Sequence, residues 1–355
     1  MRRPGLARRR RIGWLTATVV AALGVTPAHA QDVIRVPIAV MRELDTALRT
    51  AGAAMGEALQ NRDFRAEQTH RETRSLAIGA SGSLELSNIS GDISVTAGSG
   101  TEAAIEIVRR SRGRTDADAK TGLERVKAIV EHRGDRATVR PDYPNERNAP
   151  YSVSIAYVVS APAGTTVTIS SISGGVTVKN MKGGLSVQLT SGPVTVSGGA
   201  GRAEVRTISG DVTVTDMAGD ANLEVGVISG NVVLERIRAR RVSADVTSGG
   251  IIARDVTADA ATIQSISGSV EYAGPLAKGG RYELQTHSGP ITFRPTGSTG
   301  FDLQASTFSG GISTDTSLGI KTRSVSRRSL RGTVGDGNAV VVLTAFSGNV
   351  TVARR

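Results

Sequence analysis

A Ser-Gly phrase, written many times over, limits this chain more than any other feature. The pairs are Ser90-Gly91, Ser173-Gly174, Ser191-Gly192, Ser209-Gly210, Ser229-Gly230, Ser248-Gly249, Ser267-Gly268, Ser288-Gly289, Ser309-Gly310 and Ser347-Gly348. From Ser173 to Ser309 the intervals are 18, 18, 20, 19, 19, 21 and 21 residues. That period is too short for a helix-pair repeat. Three residues past each Ser stands Ile93, Val176, Val194, Val212, Val232, Ile251, Val270, Ile291, Ile312 or Val350. Four residues before it stands Leu86, Ile169, Val187, Val205, Val225, Ala244, Ile263, Leu284, Ala305 or Leu343. Polar residues alternate with these positions, so each repeat reads as two short strands with one apolar face. Ser-Gly marks the bend between them, because Gly accepts φ > 0 and Ser bonds nearby backbone groups.

One such unit cannot bury its apolar face alone. Stacked units can, with equivalent Val and Ile residues about 4.8 Å apart. The expected fold is therefore all-β: a single-chain β-solenoid of about ten rungs of 18–21 residues, with the Ser-Gly pairs as a row of corners. A flat antiparallel meander of hairpins has the same period and stays open as an alternative.

Three segments break the pattern. Residues 31–75 read as an N-terminal helical segment, with Met41, Leu44, Leu48, Ala51, Met55 and Ala58 on one seam that fades near Asn61. That helix either caps the solenoid or dimerises as a short coiled coil. Within 76–355, the solenoid region, residues 101–165 form an insertion. It holds a helix N-capped by Thr115 with Asp118 three residues on, and strands over 126–132, 136–142 and 151–162. Residues 315–337 read as an irregular Arg-rich loop that skips one rung, since the last interval, 38, is about two periods.

The first thirty residues read as a secretory signal peptide. Arg2, Arg3 and Arg8–Arg11 precede an apolar run over 12–25, and Ala28 and Ala30 flank His29 in an A-x-A cleavage site. Removing residues 1–30 takes six Arg and no acid from the formal +11, leaving +5. No later apolar run is long enough for a membrane span. The expected location is periplasmic or extracellular, as a soluble mature chain. The absence of Cys excludes disulfides, a thiol nucleophile and a Cys-linked lipid anchor.

The "SGDVTV"-type phrase, the "TDADAKTGLERVKAIVEH" insertion and the closing "GDGNAVVVLTAFSGNVTV" together resemble the bacterial putative-adhesin family of unknown function. The likeness covers roughly residues 75–355. It implies an exported, envelope-associated β-solenoid with no catalytic motif to carry over.

The residues themselves point the same way. His70, His132 and His287 fall on a helix end, a strand end and a bend, without metal-ligand spacing. No catalytic, metal or cofactor site is assigned. Asp92 and Asp211 share one rung position but read as turn formers, and the rungs flanking Asp211 carry Pro193 and Asn231 there. A polysaccharide-acting β-helix enzyme needs clustered carboxylates on neighbouring rungs, and that pattern is missing. Tyr272 and Phe293 fall at inward positions. Arg109, Arg110, Arg112 and Arg114 cluster, as do Arg236, Arg238, Arg240 and Arg241; the second group is the candidate site for anionic polymer or lipid headgroups. The small mature net charge and the lack of aromatics among these arginines favour the other reading, solvated loops that block edge pairing; nucleic acid is not an expected partner. The leading expectation is a non-catalytic envelope scaffold or adhesion module whose partners are envelope components or another protein.

Overall fold

The computed structural model describes residues 64–145 and 148–354. The leader at 1–30 and the helix expected before Asn61 lie outside the described residues. The repeat region runs through β8 (Thr166–Ser173), β9 (Val176–Met181), β10 (Leu185–Ser191), β11 (Val194–Gly199), β12 (Ala203–Ser209) and β13 (Val212–Met217). It continues through β14 (Asn222–Ser229), β15 (Val232–Ser248), β16 (Ile251–Ser267), β17 (Val270–Pro275), β18 (Arg281–Ser288) and β19 (Ile291–Thr296). Strands before a corner pair in parallel with strands before the next corner. Strands after a corner pair likewise. Val187 lies opposite both Ile169 and Val205, and Val194 opposite both Val176 and Val212. Parallel pairing at this period defines an all-β, solenoid-like stack and rules out the meander.

Alternation does the rest. Leu185, Val187, Leu189, Val194 and Val196 of one coil are all buried, while the residues between them face outward. Their columns form the core between the two arms, each Val or Leu contributing about 1.5–3 kcal/mol by burial. In five consecutive coils the far bend turns on a left-handed residue seven positions after the Ser: Asn180, Gly198, Asp216, Arg236 and Asp255, with φ between 52° and 68°. The residue after it points inward in most coils, and Met181, Met217, Ile237 and Val256 close the core on that side.

At the N-terminal end, β2 (Ser83–Ser90) and β3 (Ile93–Gly98) form the first Ser-Gly coil. The chain then leaves to build β4 (Glu102–Gly113), α1 (Asp116–Arg125) and β5 (Lys127–Arg133). It returns as β6 (Arg136–Asp142) and β7 (Tyr151–Pro162). Residues 101–165 are therefore more than a side insertion: β6 stacks in parallel on β2 and β7 on β3, completing a coil outside Ser90. The strand β1 (Ala66–Ala77) runs antiparallel to β4, which runs antiparallel to β7. This corrects the helical reading of 31–75 within its described part. Residues 66–75 are an edge strand, alternating but mostly polar, and they follow their β partner rather than a helical seam.

The C-terminal end departs further from the sequence reading. The strands β20 (Phe301–Thr307) and β21 (Ile312–Thr314) carry the Ser309 corner, and β24 (Ala339–Ser347) and β25 (Val350–Val352) carry Ser347. β24 pairs with β18 on one side and β20 on the other, and β25 pairs with both β19 and β21. The Ser347 coil thus lies between those of Ser288 and Ser309, and no rung is skipped beyond Ser309. Residues 315–337 are not an irregular loop either. A 3-10 turn, Thr316–Leu318, leads into β22 (Lys321–Val325) and β23 (Ser329–Val334), an antiparallel hairpin laid against β20. Leu318, Ile320 and Val334 pack on the end of the core.

Candidate binding face

The corners are built from the backbone outward. Eight of the ten corner Gly N–H groups donate to the Ser carbonyl of the next coil, from Gly91 to Ser173 O at 3.2 Å through Gly249 to Ser267 O at 2.9 Å. The last of these, Gly289 to Ser347 O at 2.9 Å, follows the spatial order rather than the chain order. Gly249 has φ +139°, and a Cβ there would collide with Gly230 O, so no other residue fits this stacked corner.

Two side-chain ladders tie the corners together. Asp92 Oδ1 accepts from Gly175 N at 2.7 Å, Asp211 Oδ1 from Asn231 N at 2.7 Å, and Asn231 Oδ1 from Gly250 N at 3.0 Å. Inside the bend, two residues before the Ser, Thr286 Oγ1 donates to Gly268 O at 3.1 Å, Ser265 Oγ to Gly249 O at 3.0 Å, and Thr307 Oγ1 to Gly348 O at 2.9 Å. This inner polar ladder is absent from the sequence reading. Its signal was Thr or Ser interrupting the apolar alternation next to the bend.

The residue just before each Ser faces outward and makes a ridge along the corner. In spatial order it is Ile89, Ile172, Thr190, Ile208, Ile228, Thr247, Ile266, His287, Phe346 and Phe308. Of the six exposed large apolar residues among those described, three belong to this ridge: Ile228, Ile266 and Phe308. At its C-terminal end the rings stack. His287 and Phe346 are 4.7 Å apart at 5°, and Phe346 and Phe308 are 4.8 Å apart at 6°.

The arginine clusters serve the fold in part. Arg236 occupies one of the left-handed bends and grips Asp216, at the same position one coil earlier, through Nε at 2.6 Å and Nη2 at 3.0 Å. That hydrogen bond holds the Asp216 carboxyl below its ordinary range. Arg238, Arg240 and Arg241 are exposed on β15. In the other cluster Arg109 is buried, and its Nη1 donates to Leu123 O at 2.8 Å and Val126 O at 2.9 Å, capping the C-terminus of α1. Arg110 and Arg112 pair with Glu67 at 3.3 and 2.8 Å. At the helix's other end Thr115 and Asp118 form a reciprocal capping box.

The three histidines are far apart in the fold. His70 lies within β1, not at a helix end, and Nδ1 accepts from Arg109 Nη2 at 3.1 Å. His132 Nε2 donates to Ala77 O at 3.1 Å, and His287 stands on the ridge. Among the described residues no three His, Asp or Glu converge as a metal site, and no helix is long and apolar enough to cross a membrane. An open groove of about 450 Å³ lies beside the end of α1, lined by charges of both signs from Glu72, Arg74, Glu124 and Lys127.

Stacked parallel coils with Ser-Gly corners and an outward ridge define a solenoid-like class of all-β protein. The chain belongs to the Toastrack DUF4097 family, which it matches over residues 176–353. Among solved structures it is similar to a putative adhesin from Bacteroides fragilis, with 12% identity, 81% of this chain and 97% of the other covered, and a TM-score of 0.39. A putative lipid binding protein from Parabacteroides distasonis is similar at 14% identity, covering 79% and 96%, with a TM-score of 0.45. A putative cell adhesion protein from Clostridium sporogenes shows 7% identity, covering 82% and 100%, with a TM-score of 0.23. No curated protein matches the chain.

Proposed function

We propose that this chain is a non-catalytic, exported binding module of the cell envelope: a β-solenoid of about ten coils that presents its corner ridge to an extended partner. The observation that carries this reading is the ridge itself. Ile228, Ile266 and Phe308 stay 47–63% exposed on a scaffold that buries the aliphatic residues on either side of them. Bare apolar side chains held along one line of a rigid scaffold suit a binding surface. The polysaccharide-cleaving alternative has less support, because Asp92 and Asp211 each commit Oδ1 to an amide of the neighbouring coil.

Two measurements test the proposal. Cell fractionation with protease shaving should find the chain outside the cytoplasm; a cytoplasmic location removes the envelope role. Purified protein should bind washed envelopes, and the I228S/I266S variant should bind at least tenfold less, by the cost of losing two apolar contacts. Equal binding by the variant, or release of sugar from envelope polysaccharide by the wild type, overturns the reading.

A further inference from the structure

The C-terminal end of the ridge differs chemically from the rest. Val325, 66% exposed, and Phe308, 63% exposed, are the two most exposed large apolar side chains among the described residues. Both sit where the β22–β23 hairpin turns. Ser306 faces Ser329 in register, and Thr307 N donates to Arg328 O at 2.9 Å, so the turn lies beside Phe308. The turn is well held: Ser326 N donates to Ser329 O at 2.8 Å, and Ser326 Oγ accepts from Ser329 N at 3.0 Å. Phe308 is braced on one face by Phe346.

Exposed cations line the hairpin: Lys321 and Arg323 along β22, Arg327 and Arg328 at its turn, and Arg331 on β23. Among the described residues their one ion pair is Arg323 with Asp302, at 3.8 Å. An edge strand bearing Lys321 and Arg323 would repel the same edge of a second copy, so self-pairing is disfavoured. A soluble polyanion would satisfy the cations but give Phe308 and Val325 no reason to be bare. Apolar side chains projecting amid unneutralised arginines match one partner, the headgroup layer of an anionic bilayer.

We propose that this hairpin tip docks on anionic phospholipid surfaces, with Phe308 and Val325 entering the interface and Arg327 and Arg328 meeting the phosphates. The inference rests on the binding-module reading and gives that module a lipid partner at one end. It moves the expected anion contact away from Arg236, whose guanidinium is engaged by Asp216.

Flotation of the full chain with vesicles tests it. Binding to phosphatidylglycerol-containing vesicles, little binding to pure phosphatidylcholine, and weakening by salt are expected. R327S/R328S should bind about 30-fold less, at roughly 1 kcal/mol per basic residue near the surface. F308S/V325S should bind at least tenfold less, and R238S/R240S should match wild type. All substituted side chains are exposed, and circular dichroism verifies that each variant is folded. Equal binding to neutral vesicles, or undiminished binding by R327S/R328S, overturns the proposal. So does binding to polyphosphate with vesicles ignored, which would replace the lipid by a polyanion. Loss of vesicle binding with ridge-dependent envelope binding intact would sink this inference alone. Sugar release by a vesicle-binding protein would sink the wider reading instead.

Discussion

At its N-terminal end the stack is finished with paired charge; at its C-terminal end it is finished with aromatic bulk and bare cations. On the first side Arg71 meets Glu106 at 2.9 Å, Arg140 meets Glu131 at 3.2 Å, and buried Arg109 serves α1. On the second, Tyr272, Tyr282, Phe293 and Phe301 pack ring to ring, with centroids 5.4–5.9 Å apart. Tyr272 OH donates to Val256 O at 2.6 Å, and Tyr282 OH to Ala258 O at 2.8 Å. Both ends face the same problem, an apolar column with nothing above it. Both solve it by bringing in chain from outside the strict order of the repeat. One solution leaves a surface whose charges are largely answered from within. The other leaves one whose charges wait for something else.

The sharpest way to break this comparison is to end the chain at Asn338. In a solenoid stacked in chain order, that removes one terminal coil and leaves the others covered. Here it removes the layer between β18 and β20. Hydrogen exchange should show loss of protection throughout Phe301–Val334, while β2 through β12 keep theirs. Protection retained across Phe301–Thr307 would refute the interleaved order.

Core substitutions come next. Phe293→Ala should cost about 3–5 kcal/mol in urea unfolding, against about 0.5–1.5 for Ile155→Val at the other end. A Phe293→Ala loss below about 1.5 kcal/mol would show that the aromatic cluster does not seal that end. Arg109→Met should cost about 2–3 kcal/mol, because Leu123 O and Val126 O lose charged donors in a buried setting. A loss below about 0.5 kcal/mol would show that α1 holds without its cap.

The smallest effect is titrational. Burial pushes the Tyr272 and Tyr282 phenols above their ordinary 10.0. The unfolded chain gives up these protons near pH 10 and the folded chain holds them longer. The stability they contribute is therefore complete below that pH and lost as pH rises through it. The urea midpoint should be level from pH 7 to about 9 and fall above about 10. Tyr272→Phe should blunt that fall. A midpoint that keeps rising through that range would contradict the sign.

The repeat's strands and the capping box at Thr115 were legible because each depends on neighbours in sequence, alternation and a cap three residues away; the repeat spacing pointed to stacking, but only the pairing of one coil with the next decided between parallel stacking and a hairpin meander. The strand character of residues 66–75 was not. That segment is polar and mixed in charge, and only its partner β4 makes it extended. The position of the Ser347 coil was hidden for a related reason. Equivalent coils present equivalent columns, so Leu343 fits beside Leu284 as well as it would beyond Ala305. Periodicity sets the register within a layer and is silent on the order of layers. The ridge was not read as one: Ile, Thr, Phe or His stands before each Ser, and only the corner geometry turns that position outward. The hairpin tip was masked by its own composition, since a run of Arg and Ser carries no alternation to read.

The interleaved coil bears on how the protein is made. Synthesis delivers β20 and β21 before the strands that will lie under them. Until residues 339–352 leave the ribosome, Phe301 and Leu303 have β23 on one side and no strand on the other, and the growing chain carries an unsealed aromatic end. Growth by adding one layer after another, available to every earlier repeat, is closed to this one. The final layers must assemble together, so a nascent chain halted in this stretch should be held open and within reach of chaperones or proteases.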